Sequence, residues 1–164
     1  MSIAFNADEI FEMAEQMERN AATFCREAAT KAPTRQIQDM FLRLAAMEDG
    51  HLRTFHEMRA MLSDQEKGGT TFDPEGEATL YLQAMADERG FEGKRSRTEP
   101  LTGKESPREL LEIAIEAEKN SILYYVGLKN FVTDRAGRDR VEAIIREEVS
   151  HAAELRRYLA AMSA

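Results

Sequence analysis

Glu48-Asp49-Gly50-His51 and Glu148-Val149-Ser150-His151 are the two stretches on which the reading of this chain turns. Each is a glutamate followed three residues later by a histidine, and the two stand one hundred positions apart. The chain holds only three histidines, and two of them are here. On a helix, positions i and i+3 share a face, so each stretch presents a carboxylate and an imidazole side by side.

Working outward, the same offset of one hundred recurs. Glu18 pairs with Glu118, and Glu9, Glu12, Ala14 and Asn20 pair with Glu109, Glu112, Ala114 and Asn120. Phe24/Tyr124 and Arg19/Lys119 are similar rather than identical. The chain therefore reads as a duplicated unit whose halves pack about a pseudo-two-fold axis, with paired side chains meeting near it. Each half has two helical segments. From about Asp8 to Thr30, apolar residues recur with a helical period at Ile10, Met13, Ala14, Met17, Ala21, Phe24 and Ala28. Pro33 interrupts the pattern, and a second helix is expected from about Thr34 to Leu62. In the second half, Ser106-Pro107-Arg108-Glu109 is a capping box with proline in the first turn. That helix is expected to run to about Val132, with Thr133 to Gly137 as the break before a fourth helix.

The polar stretch between the halves is too long for a bare loop. It is expected to carry one short helix, capped by Asp73, with Pro74 in its first turn, an apolar face of Leu80, Tyr81, Ala84 and Met85, and an end at Gly90. The expected organisation is one domain over 1–164: a hairpin at about 8–62, a crossover at 63–105 and a hairpin at about 106–162. At about 1.5 Å per residue the main helices span roughly 35–40 Å. Four such helices with one long crossover give an all-α, ferritin-like four-helix bundle.

The carboxylates Glu18, Glu48, Glu118 and Glu148 all lie on or beside the apolar stripe of their helix. A buried carboxylate without a partner protonates rather than staying charged. Two divalent cations offset four carboxylates, with His51 and His151 joining as neutral imidazoles. One Glu from each of two helices plus Glu-x-x-His from each of the other two is the ligand pattern of di-iron and di-manganese carboxylate bundles. The expected metal set is Glu18, Glu48, His51, Glu118, Glu148 and His151. The expected cofactor is two iron ions, with manganese or zinc as alternatives for the same donors. His56 has Arg156 as its counterpart and is expected at a surface or rim.

Composition limits the remaining classes. A net charge of −8 argues against nucleic acid, and the run Lys94-Arg95-Ser96-Arg97 reads as a solvated loop. No apolar run approaches a membrane span. Met1 to Phe5 lacks the basic and apolar regions of a signal peptide. Cys25 is the only cysteine, which excludes an intrachain disulfide and a four-cysteine iron site. A cytoplasmic location is expected.

The four segments Glu18-Arg-Asn-Ala21-Ala-Thr-Phe24, Glu48-Asp-Gly-His51, Glu118-Lys-Asn-Ser121-Ile-Leu-Tyr124-Tyr125 and Glu148-Val-Ser-His151 resemble the rubrerythrin family, in its ferritin-like di-iron domain without a rubredoxin domain. The resemblance implies that Glu48 and Glu148 bridge the metals, that Glu18 and Glu118 are terminal ligands, and that Tyr125 lies beside the centre as a hydrogen-bond donor to a ligand carboxylate. A purely structural core tyrosine is the competing reading. It further implies a homodimer and an oxidoreductase that reduces hydrogen peroxide or dioxygen, with electrons from a separate rubredoxin-like donor. The alternatives are a ferroxidase or iron-handling protein and a non-catalytic metal-binding bundle. Two features depart from the family. Cys25 stands where the first half often has tyrosine, and Ile115 and Ser121 stand where many members carry an extra glutamate.

Overall fold

A computed structural model describes residues 6–68, 77–86 and 100–162. The expected cap Asp73, first-turn Pro74 and terminating Gly90, the basic run at 94–97 and the segment Met1 to Phe5 lie outside them, as does the side chain of Met85. Four long helices dominate: α1 (Ala7–Lys31), α2 (Arg35–Ala60), α5 (Pro107–Leu128) and α6 (Arg135–Ala161). Two short ones, α3 (Asp64–Gly68) and α4 (Glu77–Ala86), fall in the crossover. No described residue is in a strand.

Local chemistry sets the helix starts. Asn6 and Glu9 close a capping box on α1, and Ser106 and Glu109 close the expected one on α5. Thr34 caps α2 by accepting from the Ile37 amide at 3.3 Å. Such caps satisfy amides that have no partner inside the helix. α1 packs against α2 and α5 against α6, and the two hairpins meet through α1 with α5 and α2 with α6.

The apolar core falls into two lobes. One contains Phe24, Ala28, Phe41, Leu44, Leu111 and Leu155; the other contains Ile10, Phe11, Phe55, Tyr124, Leu128 and Ile144. Each long helix contributes to both lobes and passes between them at its glutamate: Glu18 on α1, Glu48 on α2, Glu118 on α5 and Glu148 on α6. A polar layer thus crosses the middle of the bundle. Arg59 of α2 ties back to α1, donating to both oxygens of Asp8 at 2.8 and 2.9 Å and lying 3.6 Å from the buried Glu15.

Three expectations need correction. The apolar face of α4 is carried by Leu82, which is fully buried, while Leu80 is 63% exposed and Tyr81 and Ala84 are exposed. Tyr81 instead lies along α5, its hydroxyl donating to the Leu123 carbonyl at 2.6 Å. Gly127 permits this, since a Cβ there would sit 2.6 Å from the Tyr81 ring. Second, the crossover holds an additional five-residue helix, α3, where Ser63 and Glu66 exchange cap-like hydrogen bonds. Third, the break before α6 is shorter than expected. Asp134 caps the helix by accepting from the Gly137 amide at 2.7 Å, so Ala136 and Gly137 belong to its first turn.

Gly137 makes this tight junction possible. A Cβ at that position would lie 2.6 Å from Val132 Cγ1 and 2.8 Å from Asp134 Oδ2. Helix propensity alone favours alanine by about 1 kcal/mol, but overpacking costs about 1–3 kcal/mol, and the capping aspartate cannot retreat without losing its bond. Gly137→Ala is expected to lower stability, read as an earlier midpoint in urea unfolding; an unchanged midpoint would mean that Val132 yields freely.

Candidate metal centre

The structure brings all six expected residues into the layer between the lobes. Glu18, Glu48 and Glu148 are each 1% exposed, His151 is 2%, and Glu118 and His51 are 4%. Their polar atoms form two groups able to hold a cation: Glu18, Glu48, His51 and Glu148 in one, and Glu48, Glu118, Glu148 and His151 in the other. Within each group the ligand atoms lie within 4.8 Å of one another. Glu48 and Glu148 belong to both. The two imidazoles stack with centroids 5.9 Å apart and planes inclined by 22°, as expected of residues related by the duplication.

Hydrogen bonds alone do not satisfy this layer. His51 Nδ1 lies 2.9 Å from Glu148 Oε1, 3.1 Å from Glu48 Oε2 and 3.6 Å from Glu18 Oε2. One ring nitrogen carries at most one hydrogen, so it cannot serve three carboxylates. Its hydrogen bond is made with Glu48, and Glu148 Oε1 makes none despite its shorter distance. Glu48 Oε1, Glu118 Oε2 and both ring nitrogens of His151 are likewise buried without a hydrogen-bond partner. Several inward-facing lone pairs around two small volumes fit two cations. Carboxylate oxygens with one imidazole per group suit iron or manganese and accept zinc.

Proton distribution supports the same fit. Burial, and then the charge of Glu148, pushes the Glu18 carboxyl well above the usual range, and the same two causes raise Glu118. Burial and the Glu148 charge also act upward on Glu48, but the neighbouring side chains of His151, His51 and Glu18 prevail and lower it. Burial resists ionisation of Glu148 too, yet the close side chains of Glu118, His151 and His51 hold it far below the usual range. Burial opposes a charge on His51, and the nearby carboxylates of Glu148, Glu18 and Glu48 reverse that effect strongly. In His151 burial is again outweighed, here by Glu118, Glu148 and Glu48, and its pKa is pushed up to about 12.

Around this set, Tyr125 donates its hydroxyl to Glu18 Oε1, a carboxylate of the other hairpin. That is the expected hydrogen bond, and the ring is also fully buried against Phe55. Tyr124 anchors to the Ile10 carbonyl at 2.8 Å. His56 stands apart from both groups, its side chain 73% exposed and 3.4 Å from Glu15. Ser121, one turn beyond Glu118, is buried, and Glu118 is the only carboxylate of α5 in either group. Glu147 was missing from the sequence-based set. Its Oε2 lies 2.9 Å from His51 Nε2. Embedded in the charged run Arg146-Glu147-Glu148, and with Met47 as its repeat counterpart, it carries no sequence signal distinguishing it from a solvated charge.

These shifts fix a pH dependence. A histidine raised above its ordinary 6.5 contributes stability that is complete below that pH and is lost as pH climbs toward the folded value. The raised carboxyls Glu18 and Glu118 act in the same direction from 4.5 upward. The melting temperature of chelator-treated protein is therefore expected to fall from pH 6.5 to about pH 9, while metal-loaded protein holds its own over the same interval. Calorimetry on both forms measures this. A flat metal-free profile would mean that the layer carries no excess protons.

Comparison with known proteins agrees with the geometry. A structure from Thermotoga maritima, described as that of a ferritin-like diiron-carboxylate protein, matches with a TM-score of 0.68 and 21% identity over 95% of each chain. At that identity the likeness establishes the fold, a ferritin-like bundle. No curated protein matches significantly. Among the described residues no helix is long and apolar enough to cross a membrane. The sequence model of the rubrerythrin family matches residues 9–159, nearly the whole chain, and the chain belongs to that family.

Proposed function

We propose that this chain is a di-iron oxidoreductase that reduces hydrogen peroxide or dioxygen with electrons from a separate donor. The observation carrying the proposal is the pair of buried four-residue groups that share Glu48 and Glu148. Glu48 and Glu148 would belong to both metal sites, with Glu18 and His51 completing one ligand set and Glu118 and His151 the other. Bound iron supplies the one-electron steps that reduction of an O–O bond requires.

The chain's own residues do the rest. The lobes on either side of the layer exclude bulk water, which strengthens every electrostatic interaction inside it. The four carboxylates would offset the charge of two divalent cations. Tyr125 fixes one oxygen of Glu18 through its hydroxyl, limiting how that carboxylate swings. Reducing one peroxide to two waters consumes two electrons and two protons. A rubredoxin-like protein is the proposed electron source, and a homodimer is the proposed assembly, as the family resemblance implies.

Two experiments test the reading. Reduced iron-loaded protein with an electron donor is expected to consume peroxide faster than the same concentration of free iron, and Glu48→Ala is expected to abolish the excess. Turnover equal to that of free iron would overturn the assignment. Ferrous iron that is oxidised and then released would replace it with iron handling. Separately, Tyr125→Phe keeps the packed ring and removes the hydroxyl. About a tenfold loss in metal affinity is expected, read by competition with a chelator, with little change in the helical circular-dichroism signal.

A further inference from the structure

The duplication makes His51 and His151 equivalent in sequence, but their surroundings differ. Each directs Nδ1 at three carboxylates: Glu148, Glu48 and Glu18 at 2.9–3.6 Å for His51, and Glu48, Glu148 and Glu118 at 3.4–3.7 Å for His151. The other nitrogen separates them. His51 Nε2 meets Glu147 Oε2 at 2.9 Å, whereas His151 Nε2 is buried with no hydrogen-bond partner. Glu147 approaches from α6 with its side chain 50% exposed, so it bridges solvent and an almost fully buried ring. The position one hundred residues earlier is Met47, which offers no such acceptor.

We propose that Glu147 is a positioning residue that fixes His51 for metal binding and makes the His51 half of the centre the tighter of two unequal metal sites. The proposal rests on the assignment of the six residues as ligands. Its chemistry is simple. A carboxylate only accepts, so Nε2 of a neutral His51 must carry the hydrogen, and the lone pair is then on Nδ1, facing Glu18, Glu48 and Glu148. The same bond fixes the ring rotation and increases the basicity of Nδ1. His151 Nε2 has no hydrogen-bond partner to choose its tautomer or fix the ring's rotation. Binding there bears that ordering cost, so the centre fills in sequence, the His51 site first. The two sites share Glu48 and Glu148, so the second metal enters a layer whose bridging carboxylates are already held.

The test is a zinc titration of chelator-treated full-length protein, followed calorimetrically, because zinc reads affinity with no redox step. Wild-type protein is expected to show two resolved sites per chain. Glu147→Ala is expected to weaken the tighter site by about 10–100-fold and leave the weaker one unchanged, so that the steps converge. Glu147→Gln retains an acceptor oxygen and is expected to fall between the two. In zinc-loaded wild-type protein, nitrogen-15 NMR is expected to show the His51 Nε2–H as a protected signal that disappears in Glu147→Ala. Two sites unaltered by Glu147→Ala, or both weakened equally as by a distant charge, would overturn the positioning role alone. Wild-type protein that takes up no metal would overturn the ligand assignment and this inference together.

Discussion

Four carboxylates packed within the bundle core cannot all stay ionised unless something positive stands among them, and the rest of the structure answers that constraint. Without metal, protons take that place: the surrounding carboxylates raise the pKa values of both imidazoles, and burial raises those of Glu18 and Glu118. Two divalent ions bring positive charge to the same place, and ligands must give up their protons as the metal binds. Metal uptake is in this sense an exchange of protons for metal cations.

The duplication explains how a short chain meets that constraint. Each half contributes one isolated glutamate and one Glu-x-x-His pair, and the axis relating the halves places Glu48 and Glu148 where both metal groups reach them. The halves have also drifted apart. Tyr125 holds Glu18 from one side, while its counterpart position holds Cys25, which is buried in the opposite lobe. Glu147 touches His51, while its counterpart is Met47. Once both copies lie in one chain, each can change alone, and a symmetric scaffold comes to hold an asymmetric site.

Much of this was legible in the sequence because the relevant periods are short and rigid. A three-residue spacing on a helix places Glu48 beside His51, and a constant offset brings the halves into register, so all six polar residues followed from local rules. The Ser106 capping box was legible for the same reason. Other features depend on tertiary neighbours. Leu82 is buried and Leu80 exposed because α4 lies on α5 at the one place where Gly127 has no side chain, which α4's own pattern does not encode. Gly137 looks like a helix breaker, yet Asp134 recruits its amide as the first turn of α6. Glu147 reads as one more surface charge, and only the position of α2 relative to α6 gives it a buried partner.

The division of the core into two lobes bears on how the molecule comes apart. Each lobe draws side chains from all four long helices. Neither hairpin owns a core, so a hairpin released from its mate would expose apolar surface at both ends and four-sided pockets with half their walls missing. The duplicated halves are units of ancestry but not of folding: loosening either end withdraws support from the charged layer, and through it from the other end, so that the bundle melts as one body.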